Sequence, residues 1–397
     1  MSVRLPPVLK GQDLGPGFRR FVHLPVLLLA VLAILVMPGR ANEPRPTLDQ
    51  MIGQMLLVGF NGSSPTGATA KRIAGLIARG QIGGVILFDR NIRSPRQVRA
   101  LTAKFRKAGH PLVPIISVDQ EGGRVQRLSA KNGFASYPTA RTIARKYSPE
   151  KARTIYRKMA NELARAGFNM NYGPVVDLNL NSRNPIIGRL GRSYGADPAR
   201  VVEYARAFIY AHREANVLTS VKHFPGHGSS TTDSHKQFVD ISKTWRDVEI
   251  APYQILAREG SIDSVMVGHL YHPAISGKKR MPATLTANAV DGWLRERIGF
   301  QGVVITDDLE MAAIRRHNKL KATLIKAVQS GNDILLFGAS GSDPKFVPRA
   351  IKILRDAVND GTIPIQRIAR SYNRIKRMKE GLAARSASSG VSLGVTQ

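Results

Sequence analysis

The sequence predicts an α/β fold, a single (β/α)8 TIM-type barrel, and three observations carry that expectation. From residue 47 onward, eight short apolar runs alternate with eight longer amphipathic ones, the pattern of parallel strands joined by helical crossovers. No Gly-x-Gly-x-x-Gly follows the first run, so a closed barrel is favoured over an open doubly wound sheet in a chain of 397 residues. Polar residues end five of the runs, which would bring them to one mouth, because barrel sites lie at the C-terminal ends of the strands.

Taken in order, the candidate strands are Met55–Phe60, Gly84–Phe88, Leu112–Asp119, Met170–Asp177, Leu218–His223, Ser264–Leu270, Val303–Asp307 and Asp333–Phe337. The candidate helices are Thr69–Arg79, Pro95–Ala108, Pro149–Ala166, Ala199–Glu214, Trp245–Arg258, Ala287–Arg297, Leu320–Gln329 and Lys345–Asn359. Ser94-Pro95 punctuates a helix start, and Gly80 and Gly167 punctuate helix ends. A basic helix over Pro364–Arg385 packs on the barrel, which gives a domain over 47–385 and a flexible tail over 386–397.

Residues 1–41 read as a signal peptide or N-terminal anchor. Arg19 and Arg20 precede the apolar run Phe21–Met37, and Gly39-Arg40-Ala41 offers a small-residue cleavage site. The run is a little short for a membrane span. Cleavage after Ala41 is the preferred reading, membrane anchoring through residues 21–37 the competing one. Either places the domain outside the cytoplasm, in the periplasm or on the inner membrane facing it.

Cysteine is absent, which excludes a disulfide framework, a thiolate metal site and a thiol nucleophile. The formal net charge is +31, a surface suited to anionic polymers or phospholipid head groups. The basic residues are scattered, with no zinc-finger spacing and no aromatic RNA-binding signature, so nucleic acid is not the expected partner.

The segment Val221-Lys222-His223-Phe224-Pro225-Gly226-His227-Gly228-Ser229-Ser230-Thr231-Thr232-Asp233-Ser234-His235 leaves the fifth strand as a polar loop with three histidines. In an extended segment, Asp233 and His235 point to the same side. The carboxylate can then hold one imidazole nitrogen and leave the other to exchange protons. A solvated loop or a metal site on His223, His227 and His235 are the plainer alternatives. The metal reading has no helical ligand spacing, and no cofactor is expected.

Four further segments accompany this loop: Val118-Asp119-Gln120-Glu121-Gly122-Gly123-Arg124-Val125-Gln126-Arg127; Asn184-Pro185-Ile186-Ile187-Gly188 with Gly191-Arg192-Ser193-Tyr194-Gly195; Met266-Val267-Gly268-His269; and Ile305-Thr306-Asp307-Asp308-Leu309-Glu310-Met311. Together, in this order, over roughly residues 47 to 380, they resemble the family 3 glycoside hydrolases that act as peptidoglycan-recycling β-N-acetylglucosaminidases. The resemblance implies a retaining exo-β-N-acetylglucosaminidase that removes non-reducing terminal GlcNAc from muropeptide-type glycans. Asp307 matches the nucleophile that forms a covalent glycosyl-aspartate, and His235 the acid/base, oriented by Asp233. Asp119, Arg127, Arg192, Lys222 and His223 match the substrate ligands. Asp308 is read as a helix cap.

Two departures from the family stand out. The stretch Arg189-Leu190-Gly191-Arg192 is longer than the usual turn, and the export segment is unlike relatives that work in the cytoplasm. The expected partners are peptidoglycan fragments or other GlcNAc-containing glycans, and the expected assembly is a monomer. The rival readings are a family 3 β-glucosidase or β-xylosidase, a GlcNAc phosphorylase, and a non-catalytic wall-binding barrel. The chain ends about ninety residues after Asp307, too few for the second domain that supplies a carboxylic acid in glucosidase relatives.

Overall fold

The computed structural model describes residues 45–109, 111–277 and 279–388. The signal or anchor reading of residues 1–41 therefore lies outside the described residues. Within them, eight strands form one sheet: β1 (Leu56–Gly59), β2 (Gly84–Leu87), β3 (Ile115–Val118), β4 (Met170–Asn171), β5 (Leu218–Phe224), β6 (Ser264–Val267), β7 (Val303–Thr306) and β8 (Leu335–Phe337). The order is β7-β6-β5-β4-β3-β2-β1-β8, and every pairing is parallel. An Ile305–Ile334 bridge and the Leu336 N–H donating to Thr306 Oγ1 at 3.0 Å join β7 to β8, so the sheet closes on itself. This is the (β/α)8 barrel that the alternating runs predict.

The strands are buried throughout, as expected when side chains fill the barrel on one face and meet helices on the other. Local chemistry accounts for the helix bounds. Ser94 and Ser148 each accept a bond from the backbone three residues on, with proline at the first helical position. Gly80 and Gly167 adopt φ of 69° and 90°, the left-handed turn that glycine takes without a Cβ clash.

Several elements differ from the sequence expectation; β3 and β6 are each shorter, at Ile115–Val118 and Ser264–Val267, and four others differ as follows. β4 stops at Asn171 rather than Asp177, because Pro174 has no N–H for the ladder; pairing resumes only in a bridge from Val175 to Lys222. The helix expected over 245–258 runs from Ala251 to Arg258 after a 3-10 turn, because Pro252 must sit in its first turn. Residues Asn288–Arg297 wind as a π-helix. The C-terminal helix spans Ile365–Ser388 rather than stopping at Arg385, since Ser386 is buried and bonded to the Asn216 side chain.

That last helix closes the barrel floor. Its buried Ile368, Ile375 and Leu382 recur every seven residues on one face. Its polar contacts reach the residues that feed the strands: Ser371 to Asp333 before β8, Lys379 to Gln54 and Gly83 before β1 and β2, and Arg385 to Asn216 before β5. Among the described residues no helix is long and apolar enough to cross a membrane.

Candidate active site

The strand ends bring Asp119, Lys222, His223 and Asp307 to one mouth. Asp119 follows β3 and Asp307 follows β7, while Lys222 and His223 lie in β5 where its register against β6 shifts between Val221 and Phe224.

A buried ionic network forms one wall. Lys222 Nζ donates to Asp119 Oδ1 and contacts Glu121 Oε1, each at 2.7 Å, with the lysine side chain only 2% exposed. Arg192 binds Glu121 through Nε and Nη2, both at 2.8 Å, and donates to the Ile186 carbonyl at 3.1 Å. Burial alone would raise the Glu121 carboxyl, but the Arg192 guanidinium and the Lys222 ammonium hold it far below the carboxylate range. The same carboxylates keep Lys222 and Arg192 above their ordinary values despite burial. Cations with these partners stay charged, so the wall presents fixed charge to a ligand. Arg127 lies at the mouth, 3.8 Å from Asp119, and its buried Nε has no hydrogen-bond partner.

Beside the network, His223 donates from Nδ1 to Asp177 Oδ2 at 2.7 Å, and its Nε2 faces Arg192 at 3.4 Å. Asp177 also accepts from the His223 and His227 backbone N–H groups at 3.2 and 2.8 Å. Although β4 ends six residues earlier, these bonds return Asp177 to the site. His227 engages both ring nitrogens, with Ser230 at 2.7 Å and Ser234 at 3.3 Å, and burial pushes it down to about 4. It is a neutral pin for the loop.

Asp307 accepts from the Asp308 N–H at 2.8 Å, and its own N–H donates to Val267 O at 2.9 Å. Burial would raise its carboxyl. The neighbouring imidazoles of His269, His223 and His235 hold it at about 2 instead. It is therefore an anion throughout the physiological range.

Asp308 turns the other way and accepts from the Glu310 and Gly338 N–H groups, tying the end of β7 to β8. It does not cap the next helix, Ala312–Arg315, whose N-cap is Met311. His269 donates from Nε2 to the Asp308 carbonyl at 2.8 Å, with Nδ1 on Thr284 Oγ1 at 2.7 Å, so it fixes the backbone beside Asp307.

The loop after β5 carries the second imidazole. Its base is anchored: Trp245 Nε1 donates to Pro225 O, and a Cβ on Gly228 would lie 1.7 Å from the Leu178 carbonyl, which only glycine avoids. Its tip is open. His235 donates from Nδ1 to Asp233 Oδ1 at 2.8 Å, and its side chain is 61% exposed. Nε2 is the ring nitrogen left outside this pair.

Three residues of this site have partners or roles that the sequence reading does not assign. Glu121 stands two residues after Asp119, a spacing that places both on one side of an extended segment, so a signal existed. Asp177 was read as a polar strand end but not as the partner of His223. Glu249, 1% exposed beneath the loop base, gave no signal; it looks like an ordinary acid in a first helical turn.

A barrel whose mouth combines an ionised carboxylate, an imidazole–carboxylate pair and fixed charged hydrogen-bonding groups carries the groups that glycoside hydrolysis uses. Residues 47–378 match the family described as "Glycosyl hydrolase family 3 N terminal domain". The chain belongs to that family. It is 32% identical over 338 residues to Beta-hexosaminidase LpqI of Mycobacterium tuberculosis, covering 83% of this chain and 81% of that one. It is 30% identical over 381 residues to Beta-hexosaminidase A of Pseudoalteromonas piscicida, covering 87% of this chain. The family 3 β-N-acetylglucosaminidase of Paenibacillus sp. str. FPU-7 superposes with a TM-score of 0.78 at 34% identity, over 86% of this chain. The chain spans 63% of the length of each of these last two proteins.

Proposed function

We propose that this chain is a retaining exo-β-N-acetylglucosaminidase that removes non-reducing terminal GlcNAc from peptidoglycan-derived glycans outside the cytoplasm. The observation that carries the reading is a carboxylate, Asp307, at the end of β7, in the same barrel mouth as the exposed Asp233–His235 pair on the loop after β5. Asp307 attacks the anomeric carbon while protonated His235 gives its Nε2 proton to the leaving oxygen. A glycosyl-aspartate results. Neutral His235 then takes a proton from water, which attacks the anomeric carbon and releases Asp307 as a carboxylate. Asp233 holds the imidazole in one tautomer and stabilises its charged form.

Asp119 accepts from sugar hydroxyls, and Arg127, Lys222, Arg192 and His223 donate to them or hold their neighbours. Two hydrogens of the Lys222 ammonium are used by Asp119 and Glu121, which leaves a third for the sugar. The names of the relatives support the N-acetylated sugar. A phosphate acceptor is the second reading. It is favoured by an imidazole in place of a second anion at the mouth and by the fixed cations of the wall.

Release of chromophore from an aryl β-N-acetylglucosaminide, beside the β-glucoside, tests the reading. Turnover of the acetylated sugar alone, abolished in Asp307→Ala, supports it; turnover of the glucoside moves the assignment to a glucosidase. Running the reaction in phosphate and identifying the product as GlcNAc or its 1-phosphate decides the acceptor.

A further inference from the structure

The end of the barrel opposite the mouth carries a charge that the chemistry above does not use. The C-terminal helix Ile365–Ser388 holds seven basic residues against one acid, Glu380. Arg367, Arg374 and Lys379 turn inward to Asp333, Asn332, Gln54 and Gly83. Arg370 and Arg377 do not. Each stands two positions after a buried isoleucine, about 200° round the helix from the packed face, and both are exposed. Between this helix and the rim runs a groove of about 250 Å³, lined by Arg374, Arg377, Arg385, Met378, Asp263 and Gln301.

The ring of helices adds to the same end. Arg79, Lys107, Arg165, Arg258 and Arg297 are exposed at or just past helix C-termini, and in a (β/α)8 barrel every such terminus lies on this face. Cations there are explained by the helix dipole alone. Arg370 and Arg377 are not, because they sit in the middle of their helix. Exposed acids share this end: Glu214 is paired with Arg153 and Arg157 and Glu259 with Arg206, while Glu296, Asp360 and Glu380 stand among the cations and Asp291 feels the charge of Arg370.

The chain also enters here. Helix Leu48–Gln54 leads into β1, and Gln54 binds Lys379 of the closing helix.

We infer that this basic floor is a docking surface for a lipid bilayer bearing anionic head groups, and that it holds the active-site mouth facing away from the membrane. The inference rests on the export reading above. The two can fail separately, since fractionation of cells carrying the full chain tests export and vesicle binding tests the surface.

The chain starting at Asn42 keeps the compact unit Pro46–Gln397 whole, with the core inside it. Its co-sedimentation is measured with vesicles of phosphatidylcholine alone and with phosphatidylglycerol added. Binding to the anionic vesicles only, weakened by salt, is expected. The double variant Arg370→Glu/Arg377→Glu is expected to lose at least about 30-fold in partitioning, as two cations at a charged surface imply. Reversing Arg96 and Arg99, exposed at the mouth end of another helix, changes the same net charge and should cost under about 3-fold. Unchanged turnover of a soluble aryl glycoside shows that the floor variant is folded. Equal losses in the two double variants would mean diffuse attraction by net charge and overturn the proposal. So would equal binding to neutral vesicles, or capture by isolated anionic wall polymer without capture by vesicles.

Discussion

His223 and His235 each hold an aspartate through Nδ1, at 2.7 and 2.8 Å, yet their surroundings are opposite. The His223–Asp177 pair is 7% and 0% exposed and sits against Arg192; the His235–Asp233 pair is 61% and 15% exposed on a loop tip. Equal hydrogen bonds therefore do unequal work. In the buried pair the carboxylate also carries two backbone N–H groups, so it builds the turn from β5 into the loop. In the exposed pair the carboxylate orients a ring that solvent and substrate can reach. We assign proton transfer to the second pair, because its ring is the one open to solvent.

The largest effect that sharpens this contrast is on turnover. His235→Ala should lower hydrolysis by about 10²–10⁴-fold, the range of a lost general acid/base, and more for poor leaving groups than for activated aryl ones. Equal losses across leaving groups in steady-state kinetics would take the acid role away from His235.

In stability the contrast should invert. Asp177→Ala strands the His223 ring and two buried N–H groups and should cost about 3 kcal/mol or more, read from denaturant unfolding. Asp233→Ala removes the partner of an exposed ring and should cost under about 1 kcal/mol, while still lowering turnover. A large loss of stability in the second variant would mean that the loop tip is part of the core after all.

A smaller effect concerns the support shared by the two regions. Glu249 lies under the loop base, with Ser229, Tyr253 and Asp177 as neighbours, and burial pushes its carboxyl up to about 7. Folding then favours the protonated acid. The contribution of this carboxyl to stability should be full below the ordinary carboxylate range, fall as pH rises to about 7, and be absent above it. Glu249→Gln should flatten this dependence by a few degrees in Tm between acid and neutral pH. An unchanged slope would leave the proton elsewhere.

Much of the barrel was legible because its signals are local. Apolar runs mark buried strands, and helix bounds follow Ser-Pro starts and glycine ends; the helices Pro95–Ala108, Pro149–Ala166 and Leu320–Gln329 have the bounds expected from sequence. The failures were also local in cause. A proline cut β4 short, and a proline delayed the helix at 251. In the mouth, Asp119, Lys222, His223 and Asp307 were legible as polar ends of apolar runs. Asp233 and His235 were legible from their spacing.

The sequence by itself determined the strands, the crossovers and the residues that reach the mouth, since hydrophobic period and turn chemistry act over a few neighbours. The tertiary structure decided the partners. Lys222 meets Asp119 across 103 residues, Arg192 meets Glu121 across 71, and Lys379 meets Gln54 across 325. Ion pairing and desolvation depend on distance in space and on what excludes water there, and neither is a property of neighbours in the chain. For that reason one imidazole is a buried fixture and the other stands exposed on a loop tip, although each is a histidine with an aspartate at hydrogen-bond distance.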